Sequence, residues 1–130
     1  MSRQFPPLPD HAASQARRRR WLAVCGSVMA AIAVALAAYA AHGVEGQDQL
    51  RLAQAAAFAF AHGLALAALA PLAVRRNGMI ALAMLLAGTL LFSGSLVGAV
   101  FAGLPTTLAP FGGGLLIAGW LLHATDRWQA

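Results

Sequence analysis

Long apolar runs alternate with short polar breaks along the chain, and the breaks divide it into four runs. From Asn77 to Thr125 there is no Asp, Glu, Lys or Arg, although a Pro/Gly-rich break lies within that stretch. A helix of a soluble protein keeps a polar face toward water, whereas a bilayer core needs about 20 apolar residues per helix. The pattern therefore predicts an all-α integral membrane protein of four transmembrane helices, with approximate spans 21–44, 52–74, 79–102 and 109–124.

The segment before the first run has a different composition. Pro6, Pro7 and Pro9 stand close together there, and the few apolar residues show no helical period. We expect residues 1–20 to form a disordered basic cytoplasmic tail, followed by a compact transmembrane bundle over residues 21–125.

The fourth run is the shortest. At about 1.5 Å per residue it barely crosses the hydrocarbon, so we expect local thinning or a re-entrant start within residues 103–114.

Composition narrows the class of protein. Hydrophobic residues make up 60% of the 130 residues, which leaves no room for a separate soluble domain. The chain has no lysine, so its net charge of +5 comes from arginine. The arginines abut apolar runs, which favours anionic lipid headgroups over nucleic acid as their partner. The predicted membrane-surface residues are Arg17, Arg18, Arg19, Arg20, Arg75 and Arg76.

The arginines also predict the orientation. They cluster before the first run and in the second loop, whereas the first loop carries Glu45 and Asp48 against Arg51 alone. The positive-inside rule then places both termini and the second loop in the cytoplasm. Tryptophans are enriched at membrane interfaces, and three of them fall at the predicted inner interface: Trp21, Trp120 and Trp128.

A cleaved secretory signal is an alternative interpretation of the first run. A basic block, an apolar run and the small-residue stretch Ala38-Tyr39-Ala40-Ala41 follow one another as they do in such signals. The apolar region of a signal is about 7–15 residues long, however, and this run is longer than about 20 residues. A retained membrane span is therefore the preferred interpretation.

Small residues are expected to hold the helices together, because lipid provides no hydrophobic drive for one helix to pack on another. The first run is rich in alanine, and the third contains Gly94 and Gly98, a G-x-x-x-G pair. Packing within the bundle is the preferred interpretation of this pair. A homo-oligomer interface is the alternative.

Three histidines are the strongly polar residues in or near the spans, and such residues raise a functional hypothesis. His42 falls near the outer surface, His62 about 15 Å deep and near the middle of the bilayer, and His123 at the inner interface. Nitrogens that share a metal must converge to about 2 Å from one ion. Three different depths therefore predict no metal site, and the lone Cys25 excludes a cysteine cluster. No cofactor is predicted.

The same estimate of depth gives His62 candidate partners in the third run. Thr89, Ser93 and Ser95 are expected at its level, so His62, Ser93 and Ser95 form the candidate mid-membrane polar site. A neutral imidazole hydrogen-bonded to one of these hydroxyls is the preferred, structural interpretation. A proton relay or a contact to a substrate is the alternative.

Four blocks of the chain resemble one known family. They are Ala40-Ala41-His42-Gly43, Ala61-His62-Gly63-Leu64-Ala65-Leu66, Leu91-Phe92-Ser93-Gly94-Ser95-Leu96, and Pro110-Phe111-Gly112-Gly113 leading to Ala118-Gly119-Trp120-Leu121-Leu122. Together they resemble the YgdD/YwdK-like family of small bacterial inner-membrane proteins, classed as domain of unknown function 423. The resemblance covers about residues 21–124. It implies a four-span, multi-pass protein of the bacterial inner (plasma) membrane, with His42 and Gly43 as a family motif at the outer end of the first span.

Three kinds of function remain open at this point. The preferred one is a non-enzymatic membrane protein with a structural, assembly or stress-related role. Such a protein acts by packing against its partners, which are either further copies of itself in a homo-oligomer or another membrane protein. The second is a small carrier or channel that uses His62 and the Ser93/Ser95 notch, although no span contains the Asp or Glu that ion-coupled carriers commonly use. The third is an enzyme, for which we find no catalytic constellation in the sequence.

Overall fold

Four long helices account for nearly all of residues 10–129, the part of the chain that the computed structural model describes. The helices are α1 (Asp10–His42), α2 (Gly46–Leu69), α3 (Arg76–Ala102) and α4 (Ala109–Trp128). Short 3₁₀ turns, Ala70–Leu72 and Thr106–Leu108, follow α2 and precede α4. Each helical segment is long and apolar enough to cross a membrane. The predicted all-α class and the four spans are confirmed, and the chain has the architecture of a multi-pass membrane protein.

The helices form two antiparallel hairpins. α1 packs mainly on α2, α4 packs mainly on α3, and contacts between α2 and α3 join the two pairs. The apolar centre lies where the pairs meet and contains Leu66, Leu82, Leu85 and Leu116. α1 makes little contact with α3, so the outer side of the junction between the hairpins is open.

The tight connections follow from their sequences. α3 ends at Gly103, whose backbone is left-handed with φ 62°, a conformation that glycine adopts without a steric penalty. The N–H of Leu104 then donates to the Gly98 carbonyl and closes the helix end. Pro71 lies within the 3₁₀ turn that follows α2. Proline cannot continue an α-helix, because it lacks the N–H and its ring clashes with the preceding turn.

The predicted disorder of residues 1–20 is wrong for residues 10–20, which form the first turns of α1. The prolines that suggested disorder all precede Asp10, and the segment after it is rich in alanine and arginine, which are good helix formers. Asp10 lies in the first turn, where a negative charge complements the helix dipole. The rest of the predicted tail, residues 1–9, lies outside the described residues.

Two further boundaries differ from the prediction. α4 continues to Trp128 rather than ending at residue 124, and its 20 residues extend about 30 Å, the full thickness of the hydrocarbon. The expected re-entrant start is replaced by the 3₁₀ turn and a helix that begins at Ala109. α2 begins at Gly46, six residues before the predicted start of its span. The prediction of a polar loop over residues 45–51 is therefore wrong for residues 46–51, because helix ends readily carry polar residues at the membrane surface.

Candidate functional site

His62 lies on α2 with both ring nitrogens engaged inside the bundle. The side chain is 8% exposed. Its Nδ1 lies 2.8 Å from the Phe58 carbonyl oxygen, one helical turn earlier. Trp120 of α4 donates its indole N–H to Nε2 across 3.1 Å. Since an indole nitrogen can only donate, Nε2 must accept, and the proton of the neutral ring then lies on Nδ1 and is donated to Phe58.

The predicted hydrogen bond between His62 and a hydroxyl of α3 is not formed. Ser93 donates to the Ala55 carbonyl of α2 at 2.8 Å, and Thr89 donates to the Leu85 carbonyl of its own helix at 2.7 Å. The Ser95 hydroxyl is buried without a hydrogen-bond partner among residues 10–129. Residues two apart in a helix point to different sides of it, so Ser93 and Ser95 do not form one notch.

His62 is the seventeenth residue of α2, because the helix begins at Gly46, and about 15 Å of helix separates it from Leu72. Its depth in the bilayer stays a prediction. Trp120 is at the same level, about 12 Å along α4 from Trp128. The placement of Trp120 at the inner interface stays a prediction, and its indole N–H is committed to His62.

Aromatic and imidazole rings extend from His62 in both directions and connect three helices. Phe92 of α3 lies against Phe58 with ring centroids 4.4 Å apart, and Phe58 stacks on His62 at 5.7 Å. On the other side His62 faces Trp120 at 6.0 Å, and Trp120 meets His123 edge-on at 5.9 Å. We call these five rings the ring series. Its sequence signal was weak, because an aromatic residue in an apolar run is ordinary.

Close backbone contacts place these rings, and they use glycines other than the predicted pair. A Cβ added at Gly63 would lie 2.7 Å from the Gly26 carbonyl of α1, and a Cβ at Gly112 would lie 2.5 Å from the Phe92 nitrogen of α3. Gly94, in contrast, has no atom within 4 Å of such a position, and Gly98 approaches only Leu104. The interpretation of Gly94 as a packing residue within the bundle is therefore wrong. Small size matters where backbones cross, and sequence spacing alone does not show where that occurs.

An ion pair that the sequence analysis missed joins the turn after α2 to the end of α4. Asp126, 6% exposed, lies 3.7 Å from Arg75 Nε, and Arg75 also donates to the Gln129 carbonyl at 2.7 Å. A Cβ at Gly78 would lie 2.8 Å from an Asp126 carboxylate oxygen, so a larger residue there would make this carboxylate shift. His123 and Asp126 line a cavity of about 30 Å³ between these segments. The sequence offered one signal for this ion pair. Asp126 follows the last apolar run, and Arg75 in the basic turn after the second run is a cation that could pair with it.

The remaining predicted residues lie apart from His62. His42 is exposed at the end of α1. The N–H of Gly43 donates to the carbonyl of Tyr39. The centroid of the Tyr39 ring lies 5.6 Å from that of the Phe101 ring. Arg17–Arg20 lie in the N-terminal part of α1. Within residues 10–129, no three His, Cys, Asp or Glu side chains lie together as a metal site requires.

A family model described as "Protein of unknown function (DUF423)" matches residues 36–113, more than half of the chain. The chain belongs to the DUF423 family. The predicted family is thereby confirmed, although the matched range is narrower than the resemblance over residues 21–124. No solved structure matches the chain. In this DUF423 protein the matched range contains His62, Phe58 and Phe92 of the ring series, whereas Trp120 lies beyond it.

Three of the quoted family blocks meet around His62. The second block supplies His62 and Gly63, the third supplies Phe92 and Ser93, and the fourth supplies Gly112 and Trp120. They are joined by the indole-to-imidazole hydrogen bond and by the close contact of Gly112 with Phe92. Chemically, the arrangement stabilises one packing of α2, α3 and α4. It leaves no ring nitrogen of His62 free for a ligand.

Proposed function

We propose that this DUF423 protein is a non-enzymatic, four-span component of the bacterial inner (plasma) membrane, with a structural, assembly or stress-related role exercised through contacts with lipid and other membrane proteins. The observation that carries the proposal is the engagement of both nitrogens of His62. A proton relay or a substrate contact needs a nitrogen that can exchange its partner. Here an exchange at Nε2 would break the hydrogen bond that joins α2 to α4, and an exchange at Nδ1 would break the bond to Phe58 within α2.

The other polar groups of the spans support the same conclusion. Thr89 and Ser93 donate to helix carbonyls, and Asp126 faces Arg75. Polar side chains that bond across or along helices stabilise membrane bundles. A carrier needs a polar path that opens to each side in turn. The buried polar atoms without a hydrogen-bond partner among residues 10–129 are Arg19 Nε, Ser95 Oγ, His123 Nδ1 and Asp126 Oδ1, and Ser95 does not line the small cavity that His123 and Asp126 share.

The arginines support an orientation with both termini and the α2–α3 turn in the cytoplasm. Gln15 of α1 donates to the Val74 carbonyl at 2.9 Å, and Arg75 donates to the Gln129 carbonyl. These contacts bring the basic segment of α1, the Arg75–Arg76 turn and the C-terminal end of α4 to one end of the bundle. The positive-inside rule favours the cytoplasmic side for that end.

The proposal is tested by purifying the protein from native membranes in a mild detergent, recording its absorbance spectrum and reconstituting it into liposomes. We expect no Soret band and no flux of protons or small ions above that of protein-free liposomes. A flux that the wild type supports and that His62→Phe abolishes, with insertion unchanged, would establish the carrier instead. A Soret band would show that the protein binds haem.

A further inference from the structure

A groove runs along the outside of the bundle between α1 and α3, with α2 as its floor. It exists because α1 packs on α2 and makes little contact with α3. A cavity of about 520 Å³ fills most of it, between the 24–36 segment of α1 and the 86–97 segment of α3, with Ala59 beneath. A second cavity of about 510 Å³ adjoins it at Trp21 and extends to the first turns of α3. We call the two together the α1–α3 groove.

The part of the groove between residues 24–36 of α1 and residues 86–97 of α3 is apolar and long enough to hold a hydrocarbon chain. Besides Cys25, its polar side chains are Thr89 and Ser93, and both hydroxyls donate to carbonyls inside the bundle. The groove therefore offers no free hydroxyl donor to an occupant. From Trp21 to Leu36 it extends about 22 Å along α1, longer than the hydrocarbon depth of one leaflet, about 15 Å.

The basic end of the groove matches an anionic group. Arg18 of α1 and Arg76 of α3 line the second cavity together with Trp21, and all three side chains are exposed. Over residues 10–129 neither arginine forms an ion pair, whereas the neighbouring Arg75 faces Asp126. Two uncommitted guanidinium groups beside an apolar groove complement a phosphate that carries acyl chains.

We propose that the α1–α3 groove binds an anionic phospholipid, with its phosphate between Arg18 and Arg76 and one acyl chain along the groove. The inference rests on the membrane location proposed above. The competing occupant is a second copy of the chain. Two copies joined through this groove about a symmetry axis along the bilayer normal would bring their Arg17–Arg20 blocks together, and like charges at such a contact are unfavourable.

Two matched pairs of variants separate the headgroup from the chain. Arg18→Ala/Arg76→Ala removes the groove arginines, and Arg17→Ala/Arg20→Ala removes the same charge from exposed arginines that do not line either cavity. Gly94→Leu fills the groove, and Gly114→Leu makes the same change on α4. A Cβ at either glycine meets no atom within 4 Å, so both variants are expected to fold.

The experiment is a native mass spectrometry titration of the full-length protein in a non-ionic detergent with phosphatidylglycerol and with phosphatidylcholine of the same chains. We expect the wild type to prefer phosphatidylglycerol, and Arg18→Ala/Arg76→Ala to weaken its binding about 25-fold, because each arginine near an anionic lipid contributes about fivefold. Gly94→Leu should reduce the binding of both lipids. Neither control should change it, and glycerol phosphate without chains should not compete.

Equal binding of the two lipids by the wild type, or an equal loss in the Arg17→Ala/Arg20→Ala control, would overturn the lipid site. The lipid site would also be overturned if Gly94→Leu left lipid binding unchanged but abolished a dimer. That result would show that the groove binds a second copy of the chain. Extraction of cell membranes with alkaline carbonate distinguishes the two proposals. Release of the protein into the aqueous fraction would contradict the membrane location itself.

Discussion

At the residue scale, His62 illustrates what sequence can and cannot predict. Its position in an apolar run identified it as a polar group of the span, and a structural role was the preferred interpretation. Its partner could not be predicted, because the rotation of each helix decides which side chains meet. Ser93 and Thr89 donate to helix carbonyls, and the indole N–H of Trp120 donates to Nε2 of His62.

The bond between Trp120 and His62 predicts a coupling energy. Trp120→Phe and His62→Phe should each destabilise the protein, because each removes the hydrogen bond, and His62→Phe also leaves the indole N–H unpaired. The coupling in a double-mutant cycle should be about 1 kcal/mol, within the range measured for hydrogen bonds in membranes. The measurement is unfolding by SDS in mixed micelles. Trp128→Phe is the control, since that side chain is 92% exposed, and a coupling of zero would contradict the assignment.

At the element scale, the glycines that matter are those where helices cross. Sequence spacing pointed to Gly94 and Gly98, but α1 meets α2 at Gly26 and Gly63, and α3 meets α4 at Gly88 and Gly112. Composition predicted that small residues would hold the bundle together. The crossing points depend on the angle and register of the packed helices, which composition does not contain.

Gly63→Ala should therefore destabilise the α1–α2 hairpin. The new methyl group would lie 2.7 Å from the Gly26 carbonyl and 2.9 Å from the Ala30 nitrogen, and overpacking of this kind costs about 1–3 kcal/mol. Gly114→Ala, where a methyl group meets nothing, should cause no loss of stability. Thermal denaturation in a non-ionic detergent compares the two. Equal stability of both variants would show that α1 and α2 do not cross at this glycine.

The contact between Arg75 and Asp126 ties α4 to the turn between α2 and α3. Asp126→Asn keeps the size of the side chain and removes its charge, so the protein should lose about 0.5–1 kcal/mol at low salt, a modest amount because Arg75 is 42% exposed. The loss should shrink at high salt through screening. Arg127→Gln is the control, because it changes the net charge by the same amount in the opposite direction and removes no part of the ion pair. A loss that does not depend on salt would argue against an ionic contribution.

At the scale of the whole molecule, apolar runs separated by polar breaks were sufficient to predict the class and the four spans. The thickness of the hydrocarbon core sets the length of a transmembrane helix, so the lengths of the apolar runs in the sequence are enough to identify the spans. The helix boundaries were less accurate, because α1 and α4 carry charged turns beyond their apolar runs. The pairing of Asp126 with Arg75 and the open α1–α3 groove depend on the arrangement of the helices in space.

The most direct test of the four-span account is the labelling of single cysteines with a membrane-impermeant thiol reagent, in a Cys25→Ser background. Gln47→Cys, Asn77→Cys, Thr107→Cys and Gln129→Cys place one exposed cysteine at each end of the helices. We expect residues 77 and 129 to react only in inverted vesicles, and residues 47 and 107 only in right-side-out spheroplasts. Labelling of residues 47 and 77 from the same side would contradict the account, because α2 would then not cross the membrane.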